Sequence, residues 1–188
     1  TDPASLSFAF SMNRGIERVG ANTEFAGNAA WNTHIMLNAV PQRASFNSGI
    51  WLDLENITGR WAQRYGNIWI ITGPILADGY PVGTIGRGST KKVAIPDALF
   101  KIVVRESDDN SDDPQVLAFI YPQIGPGYKS GPKGFDHTRF LTSVDEIEKR
   151  TGLDFLTLLS NETERKLEAE VSTKLWEHSP SDDVKSCR

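Results

Sequence analysis

An α+β fold is predicted for this chain, and three observations predict it. Strand-type and helix-type apolar patterns come in blocks without a regular strand–helix–strand rhythm. One helical stripe near the middle is unbroken over five turns, and the 188 residues, 39% of them hydrophobic, can bury one full-sized core. Five Trp and nine Phe argue against disorder over most of the chain. A single domain is expected over 1–178, with 179–188, rich in Ser, Asp and Pro, as a flexible tail.

The elements follow in order. His34-Ile35-Met36-Leu37-Asn38 reads as a short strand stopped by a Pro41-Gln42 turn. From Phe46 the period changes: Phe46, Ile50, Leu54, Ile57, Trp61 and Tyr65 are spaced three or four apart, one apolar stripe on an α-helix. Ser45 is placed as its N-cap, and Gly66-Asn67 ends it. Strands are expected at Ile68–Thr72, Lys92–Ile95, Leu99–Arg105 and Val116–Tyr121, most of them stopped by Gly or Pro. Ser107–Pro114 is an acidic loop, and Gly125–Gly134, with two lysines among its glycines and prolines, is a loop that either connects or touches substrate. Ser143-Val144-Asp145-Glu146 has the capping-box spacing and opens a helix through Arg150, closed by Thr151-Gly152. A last helix is expected over Glu162 to Glu177.

Composition excludes some functions. No apolar run approaches the length of a membrane span, so no membrane partner is expected. A single cysteine, Cys187, rules out an internal disulfide and identifies no compartment. The net charge of −4 argues against bulk electrostatic capture of nucleic acid. Its distribution is uneven, +3 over residues 1–105 and −7 over 106–188, so a polyanion would meet the first part, unless both parts are ordinary solvated surface.

The informative stretch is Asn38 to Glu55, NAVPQRASFNSGIWLDLE. A strand delivers Asn38 to its end, and Asn47 sits in the first turn of the apolar helix. Taken singly, each Asn is most simply a cap, Asn38 of the turn and Asn47 of the helix. Taken together, Asn38-Ala39-Val40-Pro41-Gln42, Asn47, Trp51 and Leu54-Glu55 resemble the DNA/RNA non-specific endonuclease family, which includes the endonuclease G type and secreted bacterial nucleases. The resemblance continues through Ile71-Thr72-Gly73-Pro74, Val93-Ala94-Ile95-Pro96, Phe100-Lys101, Ala118–Pro122, Ser143–Glu148 and Thr151–Phe155, in that order.

The resemblance implies a ββα-metal nuclease core, a mainly antiparallel sheet flanked by helices, that hydrolyses DNA and RNA with little sequence preference. It implies Mg2+, or Mn2+, with Asn47 as the direct ligand and Asn38 as a catalytic amide. Magnesium suits such a site, since it keeps several waters and is often held by few protein groups. Glu55, eight residues on and roughly 12 Å along a helix axis, fits an outer-shell carboxylate holding a metal-bound water; paired with Arg60 or Arg43 it would be plain surface. Arg18, Arg43 and Arg60 are the basic residues suited to phosphates. A secreted, periplasmic or mitochondrial location is implied ahead of a cytosolic one.

Two departures stand out. The family keeps a general-base histidine in an Asp-Arg-Gly-His signature. A gapless alignment puts Asn13-Arg14-Gly15-Ile16 there, retaining Arg14 but placing Ile16 at the base; allowing a short insertion near Thr23–Asn28 places Ala9 there instead. Neither Ile nor Ala has a lone pair, so neither can take a proton. His34, on the Asn38 strand, is the one histidine placed to substitute, though a structural or substrate-contacting role is commoner for such a residue. Without a base, the chain is either a nuclease of much reduced activity or a pseudonuclease that binds nucleic acid or a protein partner. The family's earlier strands are also expected to be missing, which would leave a sheet edge for a second copy or a partner chain.

Overall fold

The computed structural model describes residues 6–10, 39–76, 83–86, 92–107, 114–123, 128 and 134–182. Strand β1 (Leu6–Phe10) pairs antiparallel with β2 (Ala39–Arg43), with Phe8 opposite Pro41, Ala9 opposite Val40 and Phe10 opposite Ala39. The expected turn at Pro41-Gln42 is therefore strand. Proline is tolerated because β2 has one ladder neighbour and lies at the edge of its two-stranded sheet. The expected strand His34–Asn38 lies outside the described residues.

From β2 the chain passes directly into helix: a short turn α1 (Ala44–Phe46), a π-helical turn Asn47–Trp51, and α2 (Leu52–Tyr65). Arg43, not Ser45, holds the N-cap position, because the strand leaves no loop between β2 and the first turn. The apolar stripe is as expected: Phe46, Ile50, Leu54, Ile57 and Trp61 are buried, and Gly66, at φ +81, ends the helix.

The main sheet is antiparallel, in the order β3 (Ile68–Ile75), β6 (Ala98–Arg105), β7 (Gln115–Pro122) and β8 (Leu141–Thr142). A small hairpin, β4 (Gly83–Ile85) with β5 (Val93–Ile95), stands apart from it. β3 runs past Thr72 through Gly73-Pro74, where close approach requires the glycine: a Cβ on Gly73 would lie 2.8 Å from the Phe100 ring. β6 is central and buried along its whole length, as a strand covered on both faces must be.

Alternation along β6 and β7 divides the core in two. Leu99, Val103, Leu117, Phe119 and Tyr121 pack against α2 through Leu54, Ile57 and Trp61. Phe100, Ile102, Val104 and Ala118 pack the other way, against Val144 and Ile147 of α3 (Val144–Thr151). The Ser143 hydroxyl accepts from the Glu146 amide at 3.1 Å, where the capping-box spacing predicts, and Gly152, at φ +70, ends α3 as expected from Thr151-Gly152.

The last helix, α4 (Asn161–Ala169), is shorter than expected. Beyond it Trp176 docks on α2: its carbonyl accepts from Trp61 Nε1 at 3.1 Å, and the Glu177 carbonyl accepts from the Tyr65 hydroxyl at 2.9 Å. The β-branched Val171 and Thr173, weak helix formers, give way to that packing. Residues 179–182, expected as tail, instead form a 3-10 turn (Pro180–Asp182) whose Asp182 pairs with Arg64 at 3.5 Å; the rest of the expected tail lies outside the described residues. No helix among the described residues is long and apolar enough to cross a membrane.

Candidate active site

The junction of β2 with the helix is held by one amide from the end of β7. Gln123, buried, donates from Nε2 to the carbonyls of Pro41 and Pro96, each at 3.0 Å, and its Oε1 accepts from the Arg43 amide at 2.9 Å. The chain then turns under Phe46, Ile50 and Trp51, all buried. Gly49, at φ −105 and ψ −114, breaks the helical run, so the wide turn is a kink, of the kind often found at functional positions.

Asn47 stands in this turn, half-buried. Phe46 precedes it in helical geometry, and no side-chain cap bond is made at either helix start, so Asn47 is not the cap that a lone helix-start Asn would suggest. Five residues earlier, Gln42 is fully buried with neither amide atom hydrogen-bonded among the described residues. Buried amides are almost always paired, and an orphaned one calls for an unseen polar partner. Two neutral amides at one strand–helix junction fit a hydrated hard cation that keeps most of its waters.

One turn on, Trp51, the residue before α2, and Glu55 of α2 are spaced four apart and share a ridge. Lys101 rises to them from the centre of β6, on the α2 face, with Nζ 4.7 Å from the Trp51 ring centroid. The residue is 4% exposed. Burial lowers its pKa to about 8, and the Glu55 carboxylate opposes the fall. Glu55 itself is half-buried.

Beside this, Asp53 of α2 reaches His137, whose Nε2 lies 3.1 Å from Asp53 Oδ2 while Nδ1 lies 2.9 Å from the Tyr121 hydroxyl. With both contacts satisfied at once by the neutral ring, Nε2–H donates to Asp53 and Nδ1 accepts from Tyr121. The buried His137 has its pKa lowered by burial, against the raising effect of Asp53. This chain ties the start of α2 to β7.

Of the residues singled out in the sequence, Asn47, Glu55, Arg43 and Arg60 fall on the β2–α2 segment, all half-buried. Ala9 lies in β1 opposite Val40, next to the Phe10–Ala39 pair. Asn38, Arg14, Ile16, Arg18 and His34 lie outside the described residues. Sequence reasoning missed Lys101, Asp53 and His137. A lysine inside the apolar run Leu99–Val104 was the one signal that could have pointed to a buried role.

A two-stranded antiparallel sheet that feeds a helix, with an amide at its head that caps nothing, backed by a larger antiparallel sheet, defines a ββα-metal nuclease fold. The family of DNA/RNA non-specific endonucleases matches residues 19–162, and the chain belongs to it. It is 27% identical over 157 residues to the mitochondrial nuclease EXOG of Danio rerio, covering 80% of this chain and 44% of that one. To a nuclease of Serratia marcescens it is 29% identical over 155 residues, covering 81% and 53%. The chain spans about half the length of these curated relatives. Among solved structures, the EndoG/EndoGI complex contains a chain of the same fold, with a TM-score of 0.53 at 20% identity over 72% of this chain and 55% of that one.

Proposed function

We propose that this chain is the metal-binding core of a nuclease acting on phosphodiester bonds of DNA and RNA with little sequence preference, running slowly because its base position is vacant. The observation that carries the reading is Asn47, an amide placed in a kinked turn at the head of α2 and not used as a cap. Its side-chain oxygen would hold Mg2+ or Mn2+, with Glu55 retaining a water of the ion's outer shell. Such an ion supplies electrostatic stabilisation of the charge that develops on the phosphate and leaving oxygen.

The chain's own residues do the rest. Lys101, buried on the α2 face, faces the Glu55 carboxylate, whose charge favours the ammonium form of the lysine. Arg43 and Arg60, with Arg14 and Arg18 earlier in the chain, orient the phosphate backbone, and Asn38 holds the scissile group. The attacking water needs a proton acceptor, and the β1–β2 register supports Ala9 over Ile16 as the vacated place, since Ala9 sits on the strand laddered to the one that enters the helix. A mitochondrial location follows the names of several relatives, and a second copy or a protein partner at the hairpin edge belongs to the same proposal.

A plasmid-nicking assay with magnesium, repeated in EDTA, tests this. Slow metal-dependent nicking is expected, and binding to duplexes of unrelated sequence should fall steeply with salt. Salt-independent binding or a sharp sequence preference would count against it. The missing imidazole favours a second reading, a pseudonuclease that binds without cleaving; tight, salt-sensitive binding with no nicking, even after a histidine is restored, would select it.

A further inference from the structure

The far face of the sheet carries a second cluster of chemistry that the nuclease reading does not use. α3 and α4, with the segment between them, bring five carboxylates together: Asp145, Glu148, Asp154, Glu164 and Glu168. They form two trios that share Glu168, and in each trio the three oxygens lie within 4.8 Å of one another. Oxygens on a common ion with metal–oxygen bonds of about 2.4 Å are at most about twice that apart, which is the calcium range.

An acidic cluster on a surface is common without an ion, and here a second observation sets it apart. Glu168 is 7% exposed, and its buried Oε1 has no hydrogen-bond partner among the described residues. No Lys or Arg among the described residues pairs with any of the five: Lys149 reaches Glu146, and the Arg165 side chain donates to the Asn161 carbonyl. The Phe155 amide donates to Glu148 Oε1 at 2.7 Å. Burial, then the charges of Glu148, Glu164, Asp145 and Asp154, raise the Glu168 pKa to about 7. A carboxylate buried among four others, without a cation, is a group poised to exchange a proton for one.

We propose that Glu168, with the carboxylates flanking it on α3 and α4, binds one calcium ion per chain, at a site across the sheet from the nuclease site. Either trio offers three acidic oxygens and no nitrogen or sulfur donor, with Glu168 common to both. That is the donor set of a hard cation completed by water, and oxygens up to 4.8 Å apart suit calcium better than magnesium, whose bonds of about 2.0–2.1 Å demand a tighter octahedron. Exposed Asp145 and Asp154 leave the ion a path in from solvent. Bound there, it would clamp α3, α4 and the Gly152–Ser160 segment onto the Phe100–Ile147 core.

Isothermal titration of the full chain with calcium chloride, in parallel with thermal unfolding, tests the site. One ion per chain and a raised Tm are expected, and Asn47→Ala should leave both unchanged. Glu168→Gln, which keeps the shape of the protonated acid and should fold, is expected to weaken binding at least tenfold; Asp154→Asn, at an exposed position, should weaken it less. The proposal is overturned if calcium up to about 10 mM gives neither heat nor a Tm shift, if binding survives unchanged in both carboxylate variants, or if it disappears in Asn47→Ala. The last result would place the ion at the nuclease site and leave that reading standing.

Discussion

The two faces of the main sheet are built from the same strands and differ in what they bury. Toward α3 the layer is apolar throughout: Phe100, Ile102, Val104, Ala118, Val144 and Ile147. Toward α2 the apolar residues are interrupted by Lys101, by the Tyr121–His137–Asp53 chain and, at the helix entrance, by the unpaired amide of Gln42. Polar groups in a core cost stability unless they are satisfied, and the strands place theirs on the α2 side, the side of the proposed site. The other face keeps its carboxylates outside the apolar layer, on the helices.

The sharpest way to break this comparison is to complete the α2 side. Ala9→His should raise nicking by roughly 10²–10⁴-fold, the usual contribution of a positioned general base, while Ile16→His should not. The reverse result would reinstate the gapless alignment, and cleavage by the unaltered chain that is lost in His34→Ala would make His34 the base. On the opposite face, Ile147→Ala should cost about 2–5 kcal/mol of stability, by urea unfolding, yet leave magnesium affinity unchanged. A loss of affinity alongside would show that the faces are coupled.

Smaller effects refine the α2 side. Asn47→Ala should remove magnesium binding with almost no loss of stability, because Asn47 caps nothing; Glu55→Ala should weaken binding by roughly 10–100-fold. Calorimetric titration separates the two, and equal losses would deny Glu55 its outer-shell place. The mildest effect is on pH. His137 has a folded pKa below its ordinary 6.5, so on acidification the unfolded chain takes up the proton first. Its contribution is complete above about pH 6.5 and is lost progressively below. His137→Gln should flatten the fall in urea midpoint from pH 7 to about pH 5, leaving the slope due to His178, whose pKa burial also lowers. An unchanged slope would remove His137 from the account.

What the sequence showed follows how local each signal is. The α2 stripe, the strands expected around Ile68–Thr72, Lys92–Ile95, Leu99–Arg105 and Val116–Tyr121 and the Ser143 cap depend on neighbours within a few residues, and all formed, β3 running on to Ile75. β1, β4 and β8, short or paired at a distance, were not anticipated. The α4 end did not form as expected, because Trp176 is captured by Trp61, 115 positions away. The helix start moved to Arg43 because β2 runs straight into it, a consequence of pairing with distant β1. Of the proposed site, Asn47 and Glu55 come from the motif. Asp53 and His137 have unremarkable local contexts, and Lys101 is marked only by its apolar neighbours; their contacts arise when β6 and the turn after Gly134 are folded against α2.

Gln123 carries one further consequence. The described residues form three separate sheets that share no ladder bonds, yet this one amide bonds to β2 at Pro41 and Arg43 and to the residue that ends β5 at Pro96. An amide does not titrate and is not screened by counterions, so the joint between the sheets is indifferent to pH and ionic strength in a molecule otherwise crowded with charge. Its weakness is chemical ageing. Deamidation would replace the nitrogen that donates twice with an oxygen facing two carbonyl oxygens, and the three sheets would lose their common pin in a single hydrolytic event.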